Sequence, residues 1–450
     1  MKKIVIVVLI IGLILSSVYA SGEDESDSEA GIFPAGKMTL YSYGNPQFRQ
    51  EYFDDFLDRN RDIAPEVEME IIQTEGEADV RQKIILSYTA GAYNELPTAC
   101  STAPVSMQSM AESGILQDVT EFLAPYKDQL VDGAYEQMVF DGKVWGLPRS
   151  LRPNLLFYNN DIFEEYNIDP ARMDTVEGWI EVGRELKEKS NGTVYLSYID
   201  PGSRAWRYYG RRGFMPQAEA RIWDDQGNVI IDQDPGARLA FETIATIYEE
   251  ELVLKSAIFK PPLFDSTREG EVATYFIGAF WDEFLRKNLP DMEGSWRAIR
   301  SPAFEDIGTG GAPVIGFEAL LNTPENTYAD LYKQYWIDYT FNEEARIAWT
   351  ESMVRQNAPY PNPISLEMLK NVFWKNPSPY YGGQSFRFIE GESLSNPSTN
   401  LRVTTDDAEA DQLISAELEK YLAGDQTMDE AISNMAKNIK GKIGTVAPKK

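Results

Sequence analysis

Residues 206–214 read W-R-Y-Y-G-R-R-G-F: Trp206, Tyr208 and Tyr209 form an aromatic cluster flanked by Arg204, Arg207 and Arg211. A sugar offers an apolar ring face and a rim of hydroxyls. Binding one takes flat aromatic surfaces and a few planar polar groups that fix orientation. One ring of this cluster is expected to stack on a ligand and the others to enter the core. The sequence also excludes several catalytic chemistries. Histidine is absent, which removes Ser-His-Asp and Cys-His sites, imidazole bases and every His-containing metal site. The single cysteine, Cys100, lies between Ala99 and Ser101 after an apolar stretch. It allows neither an intramolecular disulfide nor a thiolate cluster, and it reads as a buried small hydrophobe. The many carboxylates leave a two-carboxylate glycosidase open, but no local motif supports one. No cofactor is implied.

The elements that must position such groups need room. With 450 residues and 43% hydrophobic side chains, the chain is long enough for two domains with substantial cores. Its 71 acidic and 42 basic side chains give a formal net charge of −29. A field of that sign repels nucleic acid and anionic membrane surfaces. It also disfavours a strongly anionic ligand unless local basic residues compensate.

The first segment reads as an address. Lys2 and Lys3 precede an apolar run over residues 4–15, too short to span a bilayer, and Val18-Tyr19-Ala20, with Val18 and Ala20 at its ends, suits a signal peptidase. Residues 1–20 are therefore expected to be a secretory signal peptide. No cysteine lies near the end of the run, so the usual bacterial lipoprotein attachment point is missing. Residues 21–36, acidic and serine-rich over 21–31, are expected to form a disordered tether. The expected destination is the periplasm or the exterior, with the protein soluble rather than lipid-anchored.

Beyond the tether, residues 37–43 and 67–72 pattern as strands, 47–59 and 78–89 as helices, and 96–100 as a buried third strand. That alternation predicts a parallel sheet with helices on its faces, and ligands in such sheets sit at the carboxyl ends of the strands. The loop 43–47 and residues 101–102 fall at those ends. Further along, Asp174 and Thr175 could cap a helix running to 189, residues 222–231 read as a hairpin, and 237–251, 328–341 and 342–355 read as helices. The stretch 405–440 reads as helical again.

Several blocks occur in an order that points further. Residues 141–148 read D-G-K-V-W-G-L-P and are followed by F-Y-N-N-D over 157–161; S-G-I-L-Q-D-V-T-E-F-L spans 113–123, G-A-F-W spans 278–281, and G-D-Q-T-M-D-E-A-I spans 424–432. Together with the helix over 175–186, these resemble, in order and spacing, the family 1 extracellular solute-binding proteins, the group that includes the maltose- and maltodextrin-binding proteins. The resemblance covers essentially the chain beyond the tether.

It implies a class II periplasmic-binding-protein fold, two discontinuous α/β lobes joined by a hinge with a ligand cleft between them. The N-terminal lobe would comprise 37–151 and 314–358, the C-terminal lobe 152–313 and 359–450. It implies that Trp281 is a stacking platform at a strand end, and that Tyr43, Asn45 and Gln47 line the cleft from the first strand–helix loop. Arg149 and Arg152 would face the hinge, with Trp145 beside them in a structural role. Trp206 or Tyr208 would meet ligand, Tyr380 and Tyr381 would supply a cleft-facing aromatic, and Gly311 with Gly310 would let backbone approach. Two departures stand out. The third strand reads L-P-T-A-C-S-T, with no acidic residue at its end. Lys375 in W-K-N-P-S-P-Y-Y stands where sugar-binding members often carry Arg, and it lacks the bidentate fork.

The function so implied is that of the extracytoplasmic binding component of a carbohydrate ABC importer. A monomer would capture a mono- or oligosaccharide reversibly and hand it to membrane permeases with their cytoplasmic ATPase, without catalysis. The alternatives are a non-sugar solute such as glycerol 3-phosphate or a peptide in the same fold, and a secreted carboxylate-based glycosidase. An anionic ligand would require Arg149, Arg152, Arg207 or Lys375 to converge in the cleft.

Overall fold

The computed structural model describes residues 32–43, 47–131, 133–202, 204–356, 358, 360–393, 397–399, 401–404 and 406–448. The expected signal peptide 1–20 and most of the expected tether 21–36 lie outside the described residues. At the tether's end, Phe33 N–H donates to the Ile63 carbonyl at 2.9 Å, and the first strand opens at Gly36.

The elements that position the site are, in chain order, β1 (Gly36–Tyr43), α1 (Gln47–Arg59), β2 (Val67–Thr74), α2 (Glu77–Thr89), β3 (Ala99–Thr102), α3 (Pro104–Glu112), β4 (Leu147–Leu151) and β5 (Asn154–Asn159). They continue with α4 (Val176–Lys189), β6 (Ser197–Ile199), α5 (Pro235–Glu249), β7 (Val253–Lys255), β8 (Thr274–Gly278), α6 (Trp281–Asn288), β9 (Trp296–Arg300) and β10 (Ile315–Leu320). The last are α7 (Ala329–Phe341), α8 (Glu343–Arg355), α9 (Phe386–Glu392), α10 (Asp407–Ala423) and α11 (Met428–Lys442).

Two sheets organise them. One is five-stranded in the order β2-β1-β3-β10-β4, the other three-stranded in the order β8-β5-β9. Strands β1, β2 and β3 run parallel as the strand–helix alternation predicts. The sheet is not wholly parallel, however: β10 lies antiparallel to both β3 and β4. These strands enter from distant segments, so no crossover helix constrains their direction. Strand β3 starts at Ala99, later than the expected 96, because Pro97 has no N–H for a ladder and residues 93–95 close a 3₁₀ turn. Cys100 is buried there, and burial pushes its thiol pKa up to about 12.

The chain passes between sheets at tight points. Strand β4 ends at Leu151 in one sheet, and β5 begins at Asn154 in the other. The return runs between β9 and β10, where Arg152 N–H donates to the Val314 carbonyl at 2.7 Å. Packing follows the same division. One apolar cluster joins Met38, Phe53, Leu151, Phe317, Trp336 and Ile364. Two others draw on residues from Leu155 onward, including Trp179, Phe276 and Ile414 in one and Trp281 and Phe386 in the other. The architecture is a two-lobe α/β fold.

Local chemistry explains the element ends. Thr175 Oγ1 accepts Gly178 N–H at 3.0 Å and starts α4, whose Val176, Trp179, Ile180, Val182 and Leu186 are buried at helical spacing. The expected hairpin at 222–231 is reduced to a single bridge, Trp223 to Val229. Its turn is tied by Asp224, which accepts Asn228 N–H at 2.8 Å. The C-terminal helical stretch is made of two helices. Gly424, at φ 83°, ends α10 in the left-handed region, and a Thr427–Glu430 capping box starts α11.

Candidate functional site

Parallel pairing brings the carboxyl ends of β1 and β3 to one edge, where Tyr43 and Thr102 meet: the Tyr43 hydroxyl donates to the Thr102 carbonyl at 3.2 Å. The next helices begin at the same edge. Glu77 is the first residue of α2, where an acid is favoured by the helix dipole, and Ser106 on α3 donates to its Oε1 at 2.7 Å.

Facing this edge is Trp206–Phe214, a π-helical segment kinked at Gly213. Two glycines permit it. A Cβ at Gly210 would lie 2.3 Å from the Trp206 ring, and one at Gly213 would lie 2.6 Å from the Tyr208 carbonyl. The wider turn splits the segment's side chains between core and cleft, and such turns recur at functional sites. Trp206 is buried against Phe241, and its Nε1 donates to Asp411 at 2.8 Å. Tyr209 is buried and donates to the Tyr198 carbonyl at 2.6 Å. Tyr208 is buried beside Phe259 and Phe280. Arg211 is held by Asp407 at 2.5 Å and Asp411 at 2.8 Å.

Arg207 points the other way and bridges to the first lobe, its Nη2 lying 3.1 Å from Glu77 Oε2. Burial alone would raise the Glu77 pKa, but Arg207, Arg212 and the Ser106 hydrogen bond outweigh it and hold it below the ordinary carboxylate value. The Tyr43 phenol is pushed up to about 12 by burial and by Glu77, against the opposing pull of Arg207, Arg212 and Arg149. Arg212 is half-buried, and no carboxylate among the described residues pairs with it; burial and Arg207 lower its pKa. Asn154, at the crossing into β5, donates to the Arg212 carbonyl.

Beneath Tyr43 lies a buried charge cluster. Glu318 on β10 is 1% exposed. It forms an ion pair with Arg49 of α1 and accepts the Tyr332 hydroxyl at 2.5 Å. Arg149 Nε lies 3.1 Å from it, at ion-pair distance though not aligned as a hydrogen bond. A second buried network surrounds Asp282. Arg286 lies at 2.7 Å, Arg387 at 2.8 Å, and the Tyr381 hydroxyl at 2.8 Å. Burial would raise the Asp282 carboxyl, yet the two guanidinium groups and these hydrogen bonds bring it down to about 2.

The expected ligand residues therefore separate. Tyr43, Arg149 and, from the 206–212 segment, Arg207 and Arg212 come together at the interlobe edge, whereas Trp206 and Tyr208, expected to meet ligand, are buried among second-lobe side chains. Arg152 lies at the crossing, its Nη1 reaching the Ala279 carbonyl at 3.5 Å, and burial and Arg387 lower its pKa. Trp281 opens α6 rather than closing a strand, and that turn drives its ring into the core, stacked on Phe264 and Phe284 with no exposure. Tyr380 and Tyr381 are likewise fully buried, with the Tyr380 hydroxyl on the Leu289 carbonyl at 2.9 Å. Trp145 packs at the first lobe's core margin, its Nε1 on the Phe140 carbonyl at 3.1 Å. Lys375 is exposed, its ammonium 5.4 Å above the Phe388 ring.

Gly311 keeps the crossing close-packed: a Cβ there would meet Ser301 Oγ at 2.8 Å and the Asn154 carbonyl at 2.9 Å. With Gly310, Asp174 and Arg300 it lines a cavity of about 120 Å³, below the ~300 Å³ from which small-molecule sites start. Asn45 lies outside the described residues, and Gln47 is placed as the first residue of α1.

Sequence reasoning missed Glu77, Ser106, Arg212, Glu318 and Asp282. Glu318 carried a signal, as the one charge within the apolar run I-G-F-E-A-L. Arg212 lay inside the arginine-rich run already singled out.

An edge of parallel strand ends, facing a second lobe across a short two-way crossing, is the geometry of a two-lobe α/β binding protein. The chain belongs to the bacterial extracellular solute-binding protein family, whose model matches residues 46–319. It is 21% identical over 238 residues to an arabinooligosaccharide-binding protein of Halalkalibacterium halodurans, a match covering 51% of each chain. It is 24% identical over 291 residues to a lactose-binding protein of Rhizobium radiobacter, covering 63% of this chain and 65% of that one. The matched part thus spans between half and two thirds of these curated relatives.

Among solved structures, the fold is similar to an ABC-transporter-associated binding protein from B. animalis subsp. lactis in complex with β-1,6-galactobiose. The TM-score is 0.76 at 16% identity, covering 91% of this chain and 97% of that one. It is also similar to an ABC substrate-binding protein from Listeria monocytogenes in complex with cycloalternan, with a TM-score of 0.71 at 19% identity, covering 92% and 100%. Among the described residues, no helix is long and apolar enough to cross a membrane.

Proposed function

We propose that this protein is the extracytoplasmic substrate-binding component of a carbohydrate ABC importer, capturing a mono- or oligosaccharide between its lobes without chemical turnover. The observation that carries the reading is the interlobe edge. Glu77 of the first lobe, held by Ser106 and beside Tyr43, meets Arg207 of the second at 3.1 Å, so groups from both lobes can contact one ligand and be brought together by it. The relatives' names, arabinooligosaccharide- and lactose-binding, support a saccharide.

The lobes would divide near Leu151 and Val314; the third division, expected at 358/359, would fall later, because Ile364 and Leu369 still pack on the first lobe's cluster and Tyr380 packs on the second's. Closure would be a hinge motion about these strands. The family's extracellular character and the sequence of residues 1–20 support export by a signal peptide. The ABC-transporter relatives support membrane permeases and their ATPase as partners of the closed form.

A thermal-shift and calorimetric screen over mono- and oligosaccharides tests this. A ligand at 100 times its Kd should stabilise by about 2.7 kcal/mol, with the sugar recovered intact by chromatography. No shift with any saccharide, or release of hydrolysed product, would overturn the reading.

A further inference from the structure

The charge around the cleft edge opposes that of the chain. The protein carries −29 overall, yet the Tyr43 phenol stands in the combined field of Arg149, Arg207 and Arg212, with Glu77 as the carboxylate among them. Glu77 is committed to Arg207 at 3.1 Å. Behind, Glu318 serves Arg49 and Arg149 together. Among the described residues, two carboxylates, Glu77 and Glu318, face four guanidinium groups, Arg49, Arg149, Arg207 and Arg212, which leaves an excess of two positive charges. The excess is greatest at Arg212. It is half-buried, it pairs with no carboxylate among the described residues, and its neighbours are Arg207, Glu77, Tyr43 and Tyr208. Its position is fixed from behind, since Asn154 at the interlobe crossing donates to its carbonyl. Arg207 Nε, beside it, is buried without a hydrogen-bond partner.

A cation partly withdrawn from water and lacking a counter-charge is costly, and an incoming anion relieves that cost. A guanidinium fork fits a planar carboxylate with two parallel hydrogen bonds. The global negative charge does not forbid this, because exposed charges are screened beyond about 8 Å at physiological ionic strength while partly buried pairs are not.

Resting on the carbohydrate reading above, we propose that the cleft selects an acidic saccharide, a sugar or oligosaccharide bearing a carboxylate, which Arg212 receives while Arg207 stays fixed by Glu77. A carboxylate is favoured over a phosphate ester by charge. Among the described residues one guanidinium at the edge has no carboxylate partner, whereas a phosphate monoester carries roughly −1.5 to −2 at neutral pH and would have to compete with Glu77 and Glu318 for the others.

The test is isothermal titration of the purified full chain with glucuronate, galacturonate and di- and trigalacturonate, each beside its neutral parent sugar and its methyl ester, with glucose 6-phosphate as a further arm. At least one acidic sugar should bind ten times more tightly than both its neutral parent and its ester, and that preference should weaken with added salt. Arg212→Gln should collapse the ratio to within about twofold, while Arg212→Lys should keep part of it; thermal unfolding of each variant without ligand checks that it is folded.

Equal or tighter binding of the neutral sugars overturns the proposal and leaves the carbohydrate reading standing. So does a preference that survives Arg212→Gln in a folded variant. Selection of glucose 6-phosphate over every uronate overturns the carboxylate assignment. A chain that binds no saccharide, neutral or acidic, overturns the carbohydrate reading itself.

Discussion

Replacing Glu318 by Gln should destabilise the first lobe severely. The carboxylate is 1% exposed and is shared by Arg49, Arg149 and the Tyr332 hydroxyl. The amide nearly keeps the shape but removes the charge that allows two guanidinium groups to lie buried beneath the cleft. Removing one partner of a buried pair costs about 3–5 kcal/mol, because the opposite charge is left uncompensated. At about 2–4 °C per kcal/mol for a body of this size, the unfolding transition should fall by about 6–20 °C.

Differential scanning calorimetry is the appropriate assay, since two lobes need not melt together. The shift should fall on the transition of the lobe built around Met38, Phe53, Phe317 and Trp336. Adding Arg49→Met to Glu318→Gln should recover part of the loss, because it removes one stranded charge. A change below 2 °C, or strictly additive single and double variants, would refute the argument that this cluster is a coupled buried network.

Three further outcomes are expected. Asp282→Asn should cost stability at pH 7. Because its carboxyl is held from 3.8 down to about 2 in the fold, that contribution, about 2 kcal/mol, is present above pH 4 and lost as pH falls towards 2, so wild type and variant should converge in acid melts. Gly210→Ala places a Cβ 2.3 Å from the Trp206 ring. It should cost about 1–3 kcal/mol and weaken ligand binding by displacing Arg207, read by thermal melting and by titration of a bound sugar. Cys100, buried and with its thiol pushed up to about 12, should resist a thiol-labelling reagent at pH 8 in the native protein and react at once in 6 M guanidinium chloride.

What was legible in the sequence follows interaction range. Helix α1 at 47–59 and the helix capped at Thr175 are set by apolar spacing and capping chemistry within a few residues. The parallel β1–β2–β3 core follows from the strand–helix rhythm, and the ordered motifs from 141 to 432 carried the two-lobe architecture. The break at Gly424 was also local and was readable from its neighbours, G-D-Q-T-M-D-E.

What the sequence by itself determined, then, is the main helices and the first three strands, the absence of imidazole chemistry and the class of fold. Only the tertiary structure decided which aromatics face inward. Trp281, Tyr380 and Tyr381 have the composition of a stacking platform, but the start of α6 and the Asp282 network turn them into core. It also decided that Glu77 meets Arg207 across 130 residues of chain, and Arg49 meets Glu318 across 269. Such pairs depend on strand register and lobe docking, which no local window contains. A charge's partner, and so whether it is neutralised or left to receive a ligand, is fixed only when distant segments are folded against each other.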